Sequence, residues 1–479
     1  MTMESHCCGT GGQTKSPDLA VIGAGSAGFA AAIRASELGA RVLLVGHGTI
    51  GGTCVNVGCV PSKTLIRAAE TFHQARSASR FAGIRAEARL DDWRTLVAQK
   101  DELVASLRKA KYSDLLPAYP GATYVEGAAR LTADGVVVNG TLYTPGKTII
   151  ATGASASLPR IDGIEGVPWL DSTAALSLET LPASLVVIGG GVIGCELGQM
   201  FARLGVKVTI VCRSHLLPHA EPAISEALAT TFRDEGIDVR CGVSYQSVAR
   251  EGGGIALALS AKISERIVVT AERLLVATGR KPNTGGLGLE QAGVQLAANG
   301  GVLVDEWMRT TRPDVYAAGD VTGRDMFVYM AAYGAKLAAE NALTGDSRRY
   351  DASTMPDVTF TDPQVASVGL TEEGAQRQGI DARAVTVGLD LVPRALAARD
   401  TRGLIKLVAE RGSGKLLGAH IMAAEAGDSI QTAVLALRHG LTVADLADTL
   451  FPYLTMVEGI KLAALGFGKD VKKLSCCAG

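Results

Sequence analysis

Near its start the chain carries the stretch Leu19-Ala-Val-Ile-Gly23-Ala-Gly25-Ser-Ala-Gly28. Its four apolar residues predict a short buried strand, its glycines predict a tight turn, and residues 29–38 predict a helix that ends at Gly39. A second strand is predicted over 41–45. In this order the three glycines are typical of a turn that holds a dinucleotide. The first permits the turn, the second lets a pyrophosphate approach the backbone, and the third lets helix and strand pack closely.

The same pattern returns in the second third of the chain. A strand over 185–188 leads into the turn Gly189-Gly-Gly191-Val-Ile-Gly194, which is followed by a helix over 195–204 and a strand over 207–211. This internal duplication predicts two dinucleotide sites. The alternative is a pair of glycine-rich turns without ligands.

Three further segments extend this pattern. Residues 148–153 and 274–279 match one another, since each is an apolar strand that runs into Ala-Thr-Gly, and we expect them to close the two nucleotide-binding units. The segment Val315-Tyr-Ala-Ala-Gly-Asp320 predicts a strand that ends on an acid, and a helix is predicted over 326–343.

A chain of 479 residues is long enough for about three domains of roughly 150 residues each. We predict an α/β protein with two Rossmann-like dinucleotide-binding domains and a C-terminal α+β domain. In the C-terminal part, strand-like pieces over 358–361, 404–409 and 416–422 precede helical pieces over 427–438 and 443–450. The predicted boundaries are a flexible tail over 1–16, a first nucleotide-binding domain over 17–153 and 281–354, a second over 154–280, and the α+β domain over 355–479.

Composition excludes several classes of function. Forty-seven basic residues against 48 acidic ones leave a net charge of −1, so the chain has no overall positive field to hold nucleic acid or an anionic membrane. With 47% apolar and 20% charged residues it is not a disordered chain. It lacks an apolar run long enough to span a bilayer, and its N-terminus lacks the apolar core of a signal peptide, which predicts a cytoplasmic location. In that reducing compartment nine cysteines favour catalysis or metal binding over a disulfide scaffold.

The most informative stretch is Gly51-Gly-Thr-Cys54-Val-Asn-Val-Gly-Cys59-Val-Pro61-Ser-Lys63. Five residues of ideal helix rise about 7.5 Å, which exceeds the ~4.4–6.8 Å between the Cα atoms of a disulfide. A bridge between Cys54 and Cys59 therefore needs irregular backbone, which Gly58 can supply. Pro61 suits the first turn of a helix, which places Cys59 at a helix N-terminus, where the dipole lowers the pKa of a thiol. Two buried structural cysteines are the alternative interpretation.

Taken together, the dithiol stretch, the paired glycine turns, the Ala-Thr-Gly strands and the acid at Asp320 resemble the flavin-dependent pyridine nucleotide–disulfide oxidoreductases over residues 17–479. The resemblance implies FAD on the first unit, NADPH on the second and a C-terminal domain that forms a homodimer with active sites shared between subunits. It also implies that Cys54 and Cys59 are the redox-active pair, with Cys59 as the thiolate nearest the flavin.

Further site residues follow from the same resemblance. Lys63 and Glu196 should pair near the flavin. The second unit's strand ends at Cys212-Arg213 without the acid that favours NADH, and an arginine there suits the 2′-phosphate of NADPH. In the first unit the corresponding acid is also absent, and Gly46-His47 stand there. The cofactor-binding residues that the resemblance implies are Gly23, Gly25, Gly28, Gly48, Thr53, Lys63, Ala129 (in the segment 127–129), Asp320, Val328, Gly189, Gly191, Gly194, Arg213 and Gly279.

The segment Tyr453-Leu-Thr-Met-Val-Glu458 distinguishes metal chemistry from disulfide chemistry. Reducing a disulfide substrate requires an acid that protonates the departing thiolate, and relatives that do so carry a histidine in an H-P-T-x-x-E segment. Tyrosine, with a pKa near ~10, is a poor proton shuttle at neutral pH but can orient or ligate a metal. The branch of the family that the chain resembles most reduces Hg(II), and its two metal-site tyrosines correspond to Tyr112 and Tyr453.

The chain ends with Ser-Cys476-Cys477-Ala-Gly479. Adjacent Cα atoms lie about 3.8 Å apart, below the usual disulfide range, so this pair stays available to a soft metal ion. We therefore expect Cys476 and Cys477 to bind Hg(II) and deliver it to Cys54 and Cys59 of the other subunit. Elemental mercury is the expected product.

Two other functions remain open at this point. One is an NAD(P)H-dependent disulfide reductase such as a dihydrolipoamide dehydrogenase, against which the missing histidine argues. The other is a protein that only sequesters metal, against which the two nucleotide units argue. For His6-Cys7-Cys8, metal capture and a tail without a metal role are equally open. Cys195, Cys212 and Cys241 are predicted to be packing residues.

Overall fold

The computed structural model describes residues 16–260 and 266–474. Cys7, Cys8, Cys476 and Cys477 lie outside the described residues, as does most of the predicted tail.

The described chain alternates strands and helices. The strands are β1 (Leu19–Ile22), β2 (Val42–Gly46), β3 (Ala122–Glu126), β4 (Ala129–Leu131), β5 (Val136–Val138), β6 (Thr141–Tyr143), β7 (Lys147–Ile150), β8 (Ala154–Ala156), β9 (Trp169–Leu170), β10 (Ser184–Ile188), β11 (Lys207–Cys212), β12 (Asp238–Cys241), β13 (Ser244–Glu251), β14 (Gly254–Ser260), β15 (Arg266–Ala271), β16 (Arg273–Val276), β17 (Arg280–Pro282), β18 (Val315–Ala317), β19 (Pro356–Thr359), β20 (Gln364–Gly369), β21 (Ala382–Gly388), β22 (Leu404–Glu410) and β23 (Leu416–Ala423). The α-helices are α1 (Ser26–Glu37), α2 (Gly52–Asn56), α3 (Cys59–Arg76), α4 (Trp93–Arg108), α5 (Ser172–Leu176), α6 (Val192–Arg203), α7 (Pro222–Asp234), α8 (Val328–Thr344), α9 (Glu372–Arg377), α10 (Pro393–Ala398), α11 (Ala426–Arg438), α12 (Val443–Asp448) and α13 (Glu458–Leu465).

The first of two compact units contains the chain up to Asn56 together with Ser106–Ser155 and Lys281–Tyr350. Its centre is a five-stranded sheet in the order β18-β7-β1-β2-β3, in which every neighbouring pair is parallel. Alternate residues of β1 enter two different cores. Leu19 packs in the core formed with α1 and α8, and Ala20 packs in the core formed with β4–β6. Because both faces are covered, the strand is apolar throughout rather than alternating.

The second unit repeats this arrangement with a parallel sheet in the order β12-β11-β10-β16-β9. Leu185 and Val187 of β10 pack in a core that includes α3, α6 and α7, whereas Val186 and Ile188 pack in a core that includes the antiparallel sheet β13–β15. The duplication predicted from the two glycine patterns is confirmed. In both units the Ala-Thr-Gly strand, β7 or β16, pairs directly with the strand that precedes the glycine turn.

The second unit also contains residues from Asp351 onward. There an antiparallel sheet in the order β19-β20-β23-β22-β21 packs against α11 and α13 around a separate core. Buried ion pairs join this α+β part to the parallel sheet's helices. Arg203 lies 2.8 Å from Asp362, and Lys406 lies 2.9 Å from Glu221. These contacts link residues more than 150 positions apart, so no local pattern could predict them.

Several predicted element boundaries were wrong by a few residues. The helices predicted at 29–38 and 195–204 begin three residues earlier, at Ser26 and Val192. The physical reason is that each helix starts directly after the second glycine, so the third glycine lies inside its first turn. The strand predicted at 358–361 occupies Pro356–Thr359, and the helix predicted at 443–450 ends at Asp448.

Candidate active site

The first glycine turn connects β1 to α1 and is sterically demanding at two positions. Gly23 has a φ of +122°, and a Cβ there would lie 2.2 Å from the carbonyl oxygen of Ala151. A Cβ on Gly28 would lie 1.7 Å from the carbonyl oxygen of Gly23. Gly25 differs, since the nearest atom to its Cβ would be the Cα of Gly52 at an ordinary 3.5 Å. The protein's own packing therefore requires the first and third glycines, and the second leaves space beside the backbone.

The second glycine turn, between β10 and α6, shows the same division. Gly189 has a φ of +116° and stands over the Ala277 carbonyl, and a Cβ on Gly194 would lie 2.0 Å from the oxygen of Gly189. A Cβ on Gly191 would meet no atom of the described residues within 4 Å. In a turn that leads from a strand into a helix, a glycine whose Cβ would meet no other atom leaves space for a ligand beside the backbone.

Both helices that follow these turns present free donors at their N-termini. Gly25 and Gly191 are the N-cap residues of α1 and α6, and within the described chain neither helix has a side-chain cap or an acid in its first turn. The first N–H groups of a helix have no intrahelical partner, and the dipole adds partial positive charge. The two turns therefore fit the pyrophosphates of two dinucleotides.

Asp320 begins a short 3-10 turn, Asp320–Thr322, at the end of β18. The preceding Gly319 has a φ of +77°, and a Cβ there would lie 3.1 Å from the Cβ of Ala27. This close approach holds the turn that carries Asp320 against the first turn of α1. The acid and the first glycine turn, which are more than 290 residues apart in sequence, thus lie at the same edge of the first unit's sheet.

The segment that carries Cys54 lies against the first glycine turn. The backbone N–H of Gly51 donates to the carbonyl of Ala24 at 2.9 Å. Asn56, at the end of α2, donates from Nδ2 to the carbonyls of Ile50 and Gly52, both at 2.9 Å. These bonds hold α2 in place, and Cys54 on this helix is partly buried.

Tyr112 lies on a π-helical turn, Lys109–Ser113, that continues α4. Its ring packs over Gly51, where a Cβ would lie 3.1 Å from the ring, and edge-on to Phe29 with 4.8 Å between the ring centroids. Its hydroxyl lies 3.2 Å from the Oγ of Ser26 in the first turn of α1. The structure therefore brings Tyr112 to the segment before Cys54 and also to the first glycine turn.

Cys59 is the first residue of α3, with Gly58 as the N-cap and Pro61 buried in the first turn. The predicted helix start at this cysteine is confirmed. The positive end of the helix dipole favours a negative charge there. The chain passes from the first unit to the second between Asn56 and Val57, so Cys54 belongs to the first unit and Cys59 to the second.

Lys63, one helical turn after Cys59, forms the predicted ion pair. Its Nζ lies 2.6 Å from Oε2 of Glu196 on α6, whose carboxylate is only 3% exposed. The other oxygen, Oε1, accepts a hydrogen bond from the backbone N–H of Phe360 at 2.8 Å, and the ammonium lies 4.9 Å from the centre of that residue's ring. Sequence reasoning missed Phe360, because it contributes a backbone donor and a ring face that carry no sequence motif.

Arg213 is exposed directly after β11, where the parallel strands of the second unit end at their carboxyl edge. This is the edge at which the second glycine turn leaves β10, so the guanidinium is free to approach a bound phosphate. Gly279, with a φ of +111°, follows β16 at the same edge. The role of each of these residues toward NADPH stays a prediction.

The remaining predicted residues occupy varied positions, and their roles stay predictions. Gly48 and Thr53 are exposed, Ala129 begins β4, and Val328 is the first residue of α8. Tyr453 is 48% exposed. The segment after it is held by Oε2 of Glu458, which accepts a hydrogen bond from the N–H of Leu454 at 3.1 Å.

The described residues lack two further features. They contain no group of three or more His, Cys, Asp or Glu side chains that could hold a metal ion. They also contain no helix long and apolar enough to cross a membrane.

Two dinucleotide turns, a dithiol segment at a helix start and an ion pair beside it define a dinucleotide-dependent oxidoreductase. The chain belongs to the pyridine nucleotide-disulphide oxidoreductase family, whose model matches residues 17–336, and the dimerisation domain of that family matches residues 355–464.

Named relatives share most of the chain. It is 49% identical to a mercuric reductase of Streptomyces lividans over 96% of this chain and 98% of that protein. It is 48% identical to a mercuric reductase of Shigella flexneri over 96% of this chain and 82% of that protein. Among solved structures, the Cu(II) complex of the HOCl-induced flavoprotein disulfide reductase RclA from Escherichia coli matches with a TM-score of 0.84 and 30% identity, covering 95% of this chain and all of that one.

Proposed function

We propose that this protein is an NADPH- and FAD-dependent enzyme that reduces Hg(II) to elemental mercury. The observation that carries the proposal is the 49% identity with a mercuric reductase along nearly the whole of both chains. The family supplies the cofactors, and the two glycine turns fit them. Tyr453 in place of an acid histidine argues against a disulfide substrate.

Cys54 and Cys59 are the proposed ligands of the substrate ion. Two thiolates neutralise a divalent soft ion, and soft ions select thiolate over oxygen or nitrogen ligands. The start of α3 stabilises negative charge on Cys59, and Tyr112 and Tyr453 are proposed to complete the ion's surroundings. Bound FAD would supply the two electrons that reduce the ion, with NADPH as their source.

The chain's other residues bind and orient. Lys63, held by Glu196, places one positive charge a single helical turn from Cys59. Asp320 and the first glycine turn are proposed to hold FAD, and Arg213 and the second glycine turn are proposed to hold NADPH.

We assign 17–153 with 281–354 to the FAD domain, 154–280 to the NADPH domain and 355–479 to the dimerisation domain. The enzyme is proposed to act in the cytoplasm, where NADPH and reduced thiols are available.

The function is tested by following NADPH oxidation with Hg(II), oxidised glutathione or lipoamide as the acceptor. We expect oxidation with Hg(II), together with the release of elemental mercury, and little with the two disulfides. Cys59→Ala and Cys54→Ala should each abolish Hg(II)-dependent oxidation, whereas Cys195→Ala, which changes a fully buried cysteine on α6, should not. Faster oxidation with a disulfide than with Hg(II) would contradict the proposal.

The cofactor preference has its own test. Arg213→Glu places a negative charge where the 2′-phosphate is proposed to lie, so it should raise KM for NADPH much more than KM for NADH. Equal effects on the two would remove Arg213 from the phosphate site.

Delivery of Hg(II) by Cys476 and Cys477 is proposed to occur between subunits. One parent carries Cys54→Ala and Cys59→Ala, and the other carries Cys476→Ala and Cys477→Ala. A mixed dimer then holds one complete site only if the C-terminal cysteines of one subunit deliver Hg(II) to Cys54 and Cys59 of the other subunit. We expect its activity with thiol-buffered Hg(II) to exceed the mean of the two parents, and activity no higher than that mean would contradict delivery between subunits.

A further inference from the structure

Cys212 and Cys241 lie side by side in the second unit. They are register partners on the neighbouring parallel strands β11 and β12, and each is the last residue of its strand. Their Sγ atoms are 3.3 Å apart. Sequence reasoning treated them only as packing residues, because a separation of 29 positions gives no sign that two strand ends meet.

The pair stands beside the second glycine turn. A Cβ on Gly190 would lie 3.1 Å from the Sγ of Cys212. Cys212 is buried, but Cys241 is partly exposed, so solvent reaches the pair from one side. Arg213 follows Cys212 directly, which puts the two thiols next to the groups proposed to hold the pyrophosphate and the 2′-phosphate.

The two thiols are electrostatically unequal. The thiol of Cys212 donates a hydrogen bond that lowers the pKa of Cys241, and the charge of Arg233 acts in the same direction. The same hydrogen bond, together with burial, raises the pKa of Cys212. The pair therefore presents one partly exposed sulfur to solvent, with a second, buried sulfur in contact behind it.

We propose that Cys212 and Cys241 form a second binding site for a thiophilic metal ion such as Hg(II), and that an ion bound there competes with NADPH. The metal site rests on the geometry of the pair alone. The competition with NADPH rests on the proposed assignment of NADPH to this unit. The site offers a physical route by which excess substrate ion inhibits the enzyme.

The chemistry balances without a redox partner. Hg(II) forms two bonds to sulfur, the pair releases the protons that its thiols still carry, and the resulting bis-thiolate complex is neutral, which suits a half-buried position. Zinc–thiolate bonds of about 2.3 Å suggest that a linear sulfur–metal–sulfur unit spans roughly 4.6 Å, so the sulfurs must separate by about 1.3 Å from 3.3 Å. Cys241 is the partly exposed member of the pair, so the separation is expected to occur by movement of its side chain toward solvent.

The test uses the full-length, FAD-loaded protein with six cysteines replaced: Cys7→Ala, Cys8→Ala, Cys54→Ala, Cys59→Ala, Cys476→Ala and Cys477→Ala. In this background only Cys195, Cys212 and Cys241 remain. HgCl2 is added in a large excess of a monothiol, the protein is separated from free metal, and bound mercury is counted. The dissociation constant for NADPH is measured before and after. Cys195→Ala is the matched control in the same background, and Cys212→Ser and Cys241→Ser are made singly.

We expect one Hg(II) per chain to survive the monothiol, because two thiols on one scaffold act at high effective concentration. Each serine variant should lose it, and the Cys195→Ala control should keep it. With Hg(II) bound, NADPH affinity should fall about tenfold or more. The proposal would be overturned if the monothiol removed all of the mercury, or if both serine variants retained bound mercury. It would also be overturned if NADPH affinity were unchanged with mercury bound. Failure to bind NADPH without metal would instead contradict the cofactor assignment, and the mercury count would still decide the dithiol site.

Discussion

At the scale of single residues, the ion pair of Lys63 and Glu196 shows how burial makes two partners unequal. The carboxylate of Glu196 is 3% exposed, whereas the Lys63 side chain is 33% exposed. Removing the lysine leaves a buried charge without its counter-ion, and removing the carboxylate's charge leaves an ammonium that water can still solvate.

Lys63→Met should therefore destabilise the protein by about 2–3 kcal/mol, and Glu196→Gln by less than about 1 kcal/mol. The glutamine keeps an oxygen that can accept the hydrogen bond from the N–H of Phe360. Thermal unfolding of the two variants under identical conditions checks the order. A larger fall in Tm for Glu196→Gln than for Lys63→Met would contradict this account.

Asp357 on β19 provides a pH-dependent prediction. Burial raises the pKa of its carboxyl to about 6 from an ordinary value of 3.8. Because the folded state binds this proton more tightly than the unfolded state, the group's stabilising contribution is present below about pH 4 and is lost as the pH rises through 6. Asp357→Asn removes that dependence. From pH 5 to pH 8, the free energy of unfolding of the variant should rise by about 1–2 kcal/mol relative to that of the parent. The Tm of both proteins at the two pH values measures this change. An equal difference in Tm between variant and parent at both pH values would show that the carboxyl is not held protonated.

At the scale of elements, the two strand–turn–helix units separate glycines that packing requires from glycines that packing does not require. The backbone of Gly191 has a φ of −80°, which alanine adopts readily, and its missing side chain faces space. Gly194, three residues later, contacts the carbonyl of the turn itself. The pair permits a matched comparison within one turn.

Gly191→Ala should leave thermal stability unchanged and weaken NADPH binding about tenfold or more, equivalent to at least about 1.4 kcal/mol. Gly194→Ala should instead destabilise the protein by about 1–3 kcal/mol, because its Cβ overpacks the contact between helix and strand. Thermal unfolding and NADPH titration of both variants distinguish the two roles. Normal NADPH affinity in Gly191→Ala would mean that no pyrophosphate lies against this glycine.

At the scale of the whole molecule, the dimerisation domain leaves apolar side chains in solvent. Leu450 is 92% exposed, and Tyr453 and Leu454 follow at 48% and 43%. Contiguous exposed apolar residues are typical of a protein–protein interface. Because Tyr453 belongs to the same segment, dimer formation and completion of the proposed metal site are expected to depend on one another.

Leu450→Asp should weaken the dimer about tenfold or more, because a charged side chain would be buried in an apolar contact. Leu142→Asp changes a leucine of the first unit that is 44% exposed and lies outside the matched dimerisation domain, and it should leave dimerisation unchanged. Sedimentation of both variants over a range of concentrations measures the effect. A dimer that tolerates Leu450→Asp as well as it tolerates Leu142→Asp would exclude this segment from the interface.

The sequence by itself determined the features that depend on neighbouring residues. Two glycine turns, the strands and helices around them, the helix start at Cys59 and the acid after β18 all follow from local backbone and packing rules. The resemblance that these motifs carry also predicted the pairing of Lys63 with Glu196. The ends of elements were less well predicted. From the sequence pattern the third glycine was placed in the loop before the helix, although it lies inside the first turn of the helix.

Only the tertiary structure decided which distant residues meet. Phe360 completes the environment of Glu196 through its backbone, Arg203 and Asp362 join the parallel sheet's helices to the α+β part, and Cys212 meets Cys241 at two strand ends. Each contact joins positions that are far apart in the chain. The physical reason is that such contacts depend on strand order and helix packing, which bring residues together in space without leaving a periodic or spaced pattern in the sequence.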